Sequence, residues 1–301
     1  MICFYHADND GKCAGFWVNK LAKRDEFEDR FIKINYGIDF PFEEIHENEI
    51  VYIVDYSIPT DEMDKILSIT PNVVYIDHHK SAIEKYKNYD KEIAGLRYDG
   101  IAGCMLTYCY LACMIDNESV EVVNEFDPIF ADTAPTFTKL VADYDVWTFK
   151  YGDRTREFEK GMTIYSREPQ DQIWLDLLTE ESLGVFGLPR LSGICEQGRT
   201  IMSYRKSLMK DYCLNKGFEA KLCGYKCYAV NMAMMGTDDF VIDNVDDYDL
   251  LISFSFDGTM WNYSLRSAKI DCANLAEMFS GGGHKGAAGF SSNKFELEVS
   301  K

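Results

Sequence analysis

Apolar residues in the first half of the chain fall into short continuous runs separated by amphipathic stretches. ICFYH (2–6), FIKINY (31–36), EIVYIVDYS (49–57) and NVVYIDHH (72–79) read as strands. The third run is apolar almost throughout up to Asp55, as expected of a strand covered on both faces. Between these runs, GKCAGFWVNKLAKR (11–24), TDEMDKILSI (60–69) and SAIEKYKN (81–88) carry helical spacing. The second of these follows Pro59 and opens with acidic residues near its positive end. Alternation of this kind predicts a parallel sheet with helices on both sides, an α/β fold.

From about residue 101 to 180 the pattern is helical, including GCMLTYCYLACM and the segment leading to LVADYDVW. GVFGLPRLSG (184–193) reads as a break, and helical spacing then continues to about Asn215. Beyond it the period changes to strands: EAKLCGY, KCYAVNM, DLLISFSF and TMWNYSLRS. The last two flank Asp257-Gly258 and read as a hairpin. Asp271 then caps a short helix that stops at Gly281. The expected organisation is an α/β domain over 1–190, a connecting helix over 191–215 and a smaller α+β domain over 216–301.

Composition narrows the function. The 301 residues are 47% hydrophobic and carry a net charge of −19, which disfavours a protein gripping long nucleic acid by phosphate neutralisation. A polyanionic substrate must therefore be small, or be met by bound cations that reverse the charge locally. Ten scattered cysteines without a CxxC pair read as buried free thiols in a reducing compartment. No apolar run reaches the ~18–20 residues of a membrane span, and no signal-type segment opens the chain, so a cytoplasmic location is expected.

In open parallel sheets, ligands bind beyond the carboxyl ends of the strands. Three of the expected strands end in metal-binding residue types: His6-x-Asp8-x-Asp10, Asp55, and Asp77-His78-His79. If the first stretch stays extended, His6, Asp8 and Asp10 point one way, and Gly11 then turns the chain into the helix. Asp143, from the helical region, is a fourth candidate. Converging carboxylates without cations would repel one another and raise one another's pKa values, so a dinuclear site is expected. Oxygen-rich ligation with a few imidazoles suits Mn²⁺, Mg²⁺ or Co²⁺. Such a pair can hold water as hydroxide for attack on phosphorus.

HADNDG, VDYS, DHH and VADYD, in that order, resemble the motifs of the DHH phosphoesterase superfamily, and GGGHKGAAGF (281–290) resembles the glycine-rich signature of its associated second domain. The resemblance implies that His6 and Asp8 hold one cation, that Asp10, His78 and Asp143 hold the other, and that Asp55 bridges. Asp77 would support the site and His79 would contact the phosphate. Asp145 competes with Asp143 for the fourth motif; Asp143 fits the family's VAD form better. In the second domain Arg266, Gly281, Gly282, Gly283 and His284 would grip the substrate, the glycines through exposed backbone N–H groups. Arg97 is as well explained as a surface arginine. Tyr228, Trp261 and Tyr263 read mainly as packing residues, and Ser57 and Lys12 as shaping loops.

The two-domain form resembles nanoRNases, which release nucleoside monophosphates from very short RNAs. A possible homodimer is also in keeping with that resemblance. A cyclic-dinucleotide phosphodiesterase and an adenosine 3′,5′-bisphosphate phosphatase share the same metal chemistry, so the substrate choice stays open between short linear and cyclic dinucleotides. Long duplex and membrane partners are not expected. A pyrophosphatase is disfavoured by the glycine loop, and a non-catalytic nucleotide sensor by the filled motif positions.

Overall fold

The computed structural model describes residues 1–116, 128–233 and 235–299. It divides into two compact units, Met1–Thr200 and Ile201–Lys301. The division falls inside one long helix, Pro189–Lys216.

The first unit runs β1 (Ile2–His6), α1 (Asn9–Leu21), β2 (Arg30–Ile34), β3 (Val51–Val54), α2 (Thr60–Ile69), β4 (Val73–Ile76) and α3 (Lys80–Tyr86). Helices follow: α4 (Gly103–Asp116), α5 (Pro128–Thr133), α6 (Thr136–Asp145), α7 (Asp153–Met162), α8 (Gln172–Ser182) and the start of α9 (Pro189–Lys216). The four strands are parallel, in the order β2-β1-β3-β4. Alternation within β1 splits its side chains between two cores. Cys3 and Tyr5 join the core built with α1, α4 and α6, whereas Ile2 and Phe4 join the core that holds Met63 and Ile66 of α2. The sheet is thus covered on both faces, as the continuous apolar runs predict.

The strand order places a switch point between β1 and β3. The chain leaves β1 for one neighbour, β2, and returns through β3 on the other side. The carboxyl ends of β1 and β3 therefore border the crevice where sheets of this type bind ligands.

The second unit is a mixed seven-stranded sheet made of β5 (Gly217–Leu222), β6 (Tyr225–Asn231), β7 (Leu250–Phe256), β8 (Trp261–Arg266), β9 (Gly282–His284), β10 (Ala287–Ser292) and β11 (Glu298–Val299), in the order β11-β5-β6-β7-β8-β10-β9. Among the described residues of this sheet, only β6 and β7 pair in parallel. The hairpin at Asp257-Gly258 joins β7 to β8 in antiparallel register, with Gly258 at φ +103°. Helix α10 (Cys272–Glu277) is capped by Asp271, which accepts from the amides of Ala273 and Asn274. It covers one face of the sheet, while Met209 and Cys213 of α9 cover part of the other.

Nine of the ten cysteines are buried, the exception being Cys223. Among the described residues no helix is long and apolar enough to cross a membrane.

Candidate metal centre

The first motif converges by a different route from simple alternation. The strand ends at His6; Asp8 is the N-cap of α1, accepting from the Gly11 amide at 2.9 Å; and Asp10 lies inside the first helical turn. Gly11 is needed for closeness rather than for a turn. A Cβ there would lie 2.3 Å from the His6 carbonyl oxygen, so only glycine lets the helix start this near the strand end.

His6 Nδ1 lies 2.8 Å from Asp8 Oδ2 and 3.7 Å from Asp55 Oδ2. His78 Nε2 lies 3.2 Å from Asp55 Oδ1, 3.4 Å from Asp145 Oδ2 and 3.9 Å from Asp10 Oδ2. Three overlapping groups result, each with ligand atoms close enough to share one ion: His6, Asp8 and Asp55; Asp10, His78 and Asp145; and Asp55, His78 and His79. Asp55 is common to two of them and sits between the two ends of the cluster. It also adopts φ +56°, a left-handed backbone that aspartate tolerates at modest cost.

Asp143 is not in this cluster. Its carboxylate accepts from the Thr148 and Thr155 hydroxyls and from the amides of Lys150, at 2.7 Å, and Tyr151, at 3.2 Å. Burial works against its charge, but these hydrogen bonds prevail and hold the carboxyl below its ordinary value. Asp143 thus ties down the 148–155 segment, and the fourth-motif carboxylate that reaches His78 is Asp145. The physical reason is position on α6. Asp143 follows Leu140 by three residues on the buried side, whereas Asp145 is the last residue of the helix and clears its end.

Asp77 stands behind the cluster. One oxygen accepts from the amides of His78 and His79 and from His79 Nδ1 at 2.7 Å; the other accepts from the Tyr75 and Ser57 hydroxyls. Burial opposes its ionisation, yet the His79 contacts outweigh that and lower its pKa. His79 is therefore oriented through Nδ1, with about a third of its side chain exposed. Arg97 donates to the carbonyls of Tyr75 and Ile93 and packs over the Tyr75 ring, a structural role. Lys12 pairs with Glu168 at 3.0 Å.

A residue that sequence reasoning missed is Gly103. Its amide and that of Cys104 donate to the two oxygens of Asp10, at 2.6 and 3.0 Å, so the N-terminus of α4 faces this carboxylate. A Cβ on Gly103 would lie 2.7 Å from the Asp55 Cβ and 3.0 Å from Asp10 Oδ2. The available signal was a glycine opening an otherwise apolar helix.

The donor set fits divalent cations. Among the described residues, both oxygens of buried Asp55 and one of Asp145 have no partner in hydrogen-bonding geometry, and His6 Nδ1 is close to Asp8 Oδ2 without aligned hydrogen-bond geometry. Burial, and then the Asp55 charge, push Asp10 up to about 8; burial, and then Asp10, push Asp145 up to about 7. Burial raises Asp55 well above its usual range, and the carboxylates of Asp55 and Asp8 push His6 up to about 10. Bound cations would relieve this mutual repulsion and satisfy the orphaned atoms.

In the second unit, register sets Arg266 of β8 opposite Ala287 of β10, and Ala287 opposite His284 of β9. The two side chains therefore share one face of the sheet, two strand spacings apart, about 9–10 Å. Arg266 Nη1 donates to the Ser264 hydroxyl and the Leu265 carbonyl. The glycine run is not a loop. Gly282 and Gly283 lie in edge strand β9, and Gly281 leads into it. A Cβ on Gly283 would lie 2.5 Å from the Ala288 Cα, and one on Gly281 would lie 2.2 Å from the Gly289 carbonyl. Close strand pairing is why these two positions are glycine, and the exposed edge of β9 still offers backbone groups.

No sequence-family profile matches the chain, and no curated protein matches it. Solved structures do. The DHH domain of a member of the s1p family of ribosomal proteins is 13% identical, with a TM-score of 0.55, covering 99% of this chain and 82% of that one. The exonuclease RecJ bound to manganese is 13% identical, with a TM-score of 0.52, covering 96% and 85%. A pGpG-specific phosphodiesterase from Vibrio cholerae is 11% identical, with a TM-score of 0.49, covering 97% and 93%. The fold is that shared by these DHH-domain structures, an α/β domain followed by a smaller sheet domain, as the motifs led one to expect.

Proposed function

We propose that this chain is a metal-dependent phosphoesterase that hydrolyses very short oligonucleotides and releases nucleoside monophosphates. The observation that carries the proposal is the orphaned cluster at the β1/β3 switch point, where three ligand groups overlap through Asp55 and His78. His6, Asp8 and Asp55 would hold one cation, and Asp10, His78 and Asp145 the other, with Asp55 between them. Mn²⁺ is the favoured ion, with Mg²⁺ or Co²⁺ as substitutes, on the oxygen-rich donor set and on the manganese bound by the structurally similar RecJ. Two such cations supply Lewis-acid stabilisation of phosphoryl charge and a lowered water pKa.

The chain's own residues supply the rest. Asp77 fixes the His79 ring, leaving Nε2 to meet a phosphoryl oxygen or to carry a proton towards the leaving oxygen. The α4 amides hold Asp10 in place. Arg266, His284 and the edge of β9 form the substrate grip of the second unit. The domain limits proposed for these roles are 1–190 and 216–301, joined by the helix over 191–215. The net charge of −19 favours a substrate of few phosphates over long duplex.

The test is a time course with Mn²⁺ on 5′-phosphorylated diadenylate, adenosine 3′,5′-bisphosphate and cyclic di-AMP at equal concentration. EDTA and Asp55→Asn serve as controls. Rapid AMP release from the linear dinucleotide, lost in both controls, is expected. Preference for the cyclic compound would replace this substrate with a signalling dinucleotide, and equal activity in EDTA would overturn the metal assignment.

A further inference from the structure

Trp147 follows the cluster carboxylate Asp145 by two residues, so their Cα atoms are at most about 7 Å apart. It is 70% exposed, whereas Trp17 and Trp174 are buried and Trp261 is half-buried. Its backbone is left-handed at φ +55°, and Phe149 repeats this at φ +47°. Bulky residues rarely adopt that conformation, and it persists only where surrounding structure imposes it.

The imposing structure is visible. Asp143 gathers Thr148, Lys150, Tyr151 and Thr155 onto one carboxylate and so closes the loop that carries both aromatics. Phe149 is clamped under the Arg156 guanidinium, 3.7 Å from the ring centroid, and meets the Trp147 ring edge-on at 5.3 Å. Tyr144, with Lys160 over its ring, lies 6.1 Å from Trp147. The indole thus stands in solvent, two residues along the chain from Asp145, on a strained turn braced by Phe149 and Tyr144.

Resting on the phosphoesterase reading above, we infer that Trp147 is a stacking platform for a nucleobase adjoining the scissile phosphate, and that it sets a preference for substrates that carry bases. Aromatic stacking suits this role because every base offers a π-face, so the contact would select nucleotides without selecting a sequence.

The test compares kcat/KM for 5′-phosphorylated diadenylate with that for its abasic analogue, which keeps the sugars and phosphates. Wild type, Trp147→Phe and Trp147→Gly are measured; glycine adopts the left-handed backbone freely, so only the ring is lost. Wild type should favour the base-bearing substrate about ten- to a hundredfold, mainly through KM. Trp147→Gly should erase that ratio with unchanged manganese content, and Trp147→Phe should retain part of it. An unchanged ratio in Trp147→Gly overturns the inference. So does a change in oligomeric state with unchanged kinetics, which would make the indole a contact for a second copy of the chain. Absence of turnover on both substrates by wild type would instead remove the underlying phosphoesterase reading.

Discussion

Two aspartates in one five-residue stretch have opposite jobs. Asp145 offers an oxygen without a hydrogen-bond partner to the cluster, whereas both oxygens of Asp143 already accept hydrogen bonds. Asp145→Asn should lower bound manganese towards one ion per chain and depress kcat at least a hundredfold, with little change in Tm, as metal analysis and kinetics would show. Asp143→Asn should do the reverse in kind. It weakens several charge-assisted hydrogen bonds of a buried group, costing about 1.5–3 kcal/mol for each bond fully lost, so Tm falls while a purified folded fraction still binds metal. If Asp143→Asn alone stripped the metal and left Tm intact, the assignment would be reversed. Six of the cluster positions, His6, Asp8, Asp10, Asp55, His78 and His79, and Asp77 behind them, were legible in the sequence because each lies at or within a few residues of a strand end. Asp143 and Asp145 share a helix end, where motif spelling does not say which carboxylate is buried. Gly103 left no chemical signature at all, since it acts through the Cβ it lacks.

At the scale of elements, most strands and helices were readable from periodicity, and the departures have local causes. Helix α1 starts two residues earlier than its apolar pattern because Asp8 caps it while serving the cluster. Glycine weakens strands in general, so the run at 281–283 does not spell a strand in the sequence; here it permits an edge strand to pack closely on β10. Helix α4 points its first amides at Asp10, which makes its N-terminus part of the centre. Gly103→Ala should therefore force Asp55 and Asp10 apart. Overpacking of this kind costs about 1–3 kcal/mol, and a drop in both Tm and manganese occupancy is expected from calorimetry and metal analysis. Wild-type occupancy in the alanine variant would show that the helix start is free to move. The face shared by Arg266 and His284 makes a separable claim. Arg266→Ala should raise KM for a dinucleotide severalfold to tenfold with metal content unchanged, and unaltered kinetics would remove Arg266 from the substrate grip.

For the molecule as a whole, the centre is a source of instability when metal-free, one that the proposed cations would convert into stability. Asp10, Asp145 and Asp55 have pKa values raised above the ordinary carboxyl range, so the metal-free native state keeps protons that the unfolded chain has released above about pH 4. His6 is raised too, which gives the same sign above its ordinary value of 6.5. Native protons in excess of unfolded ones mean that stability falls as pH rises. For Asp10 and Asp145 the fall runs on through their folded pKa values near 8 and 7, respectively. The carboxyls held low, Asp8, Asp77 and Asp143, act with the opposite sign, but their contribution is complete once pH exceeds about 4. Between pH 5 and 8 the cluster therefore dominates these terms. In EDTA, Tm should drop across that interval by at least about 3 °C, the equivalent of roughly 1 kcal/mol for a unit of this size. Excess Mn²⁺ should remove the drop, because cations replace the protons and stabilise only the native state in proportion to ln(1 + [L]/Kd). The largest metal-induced rise in Tm should then appear at pH 8 and the smallest at pH 5. A metal-free Tm that stays level or climbs from pH 5 to 8 would mean that these carboxylates do not crowd one another in the native state, and with that the case for two cations at the β1/β3 switch point would be lost.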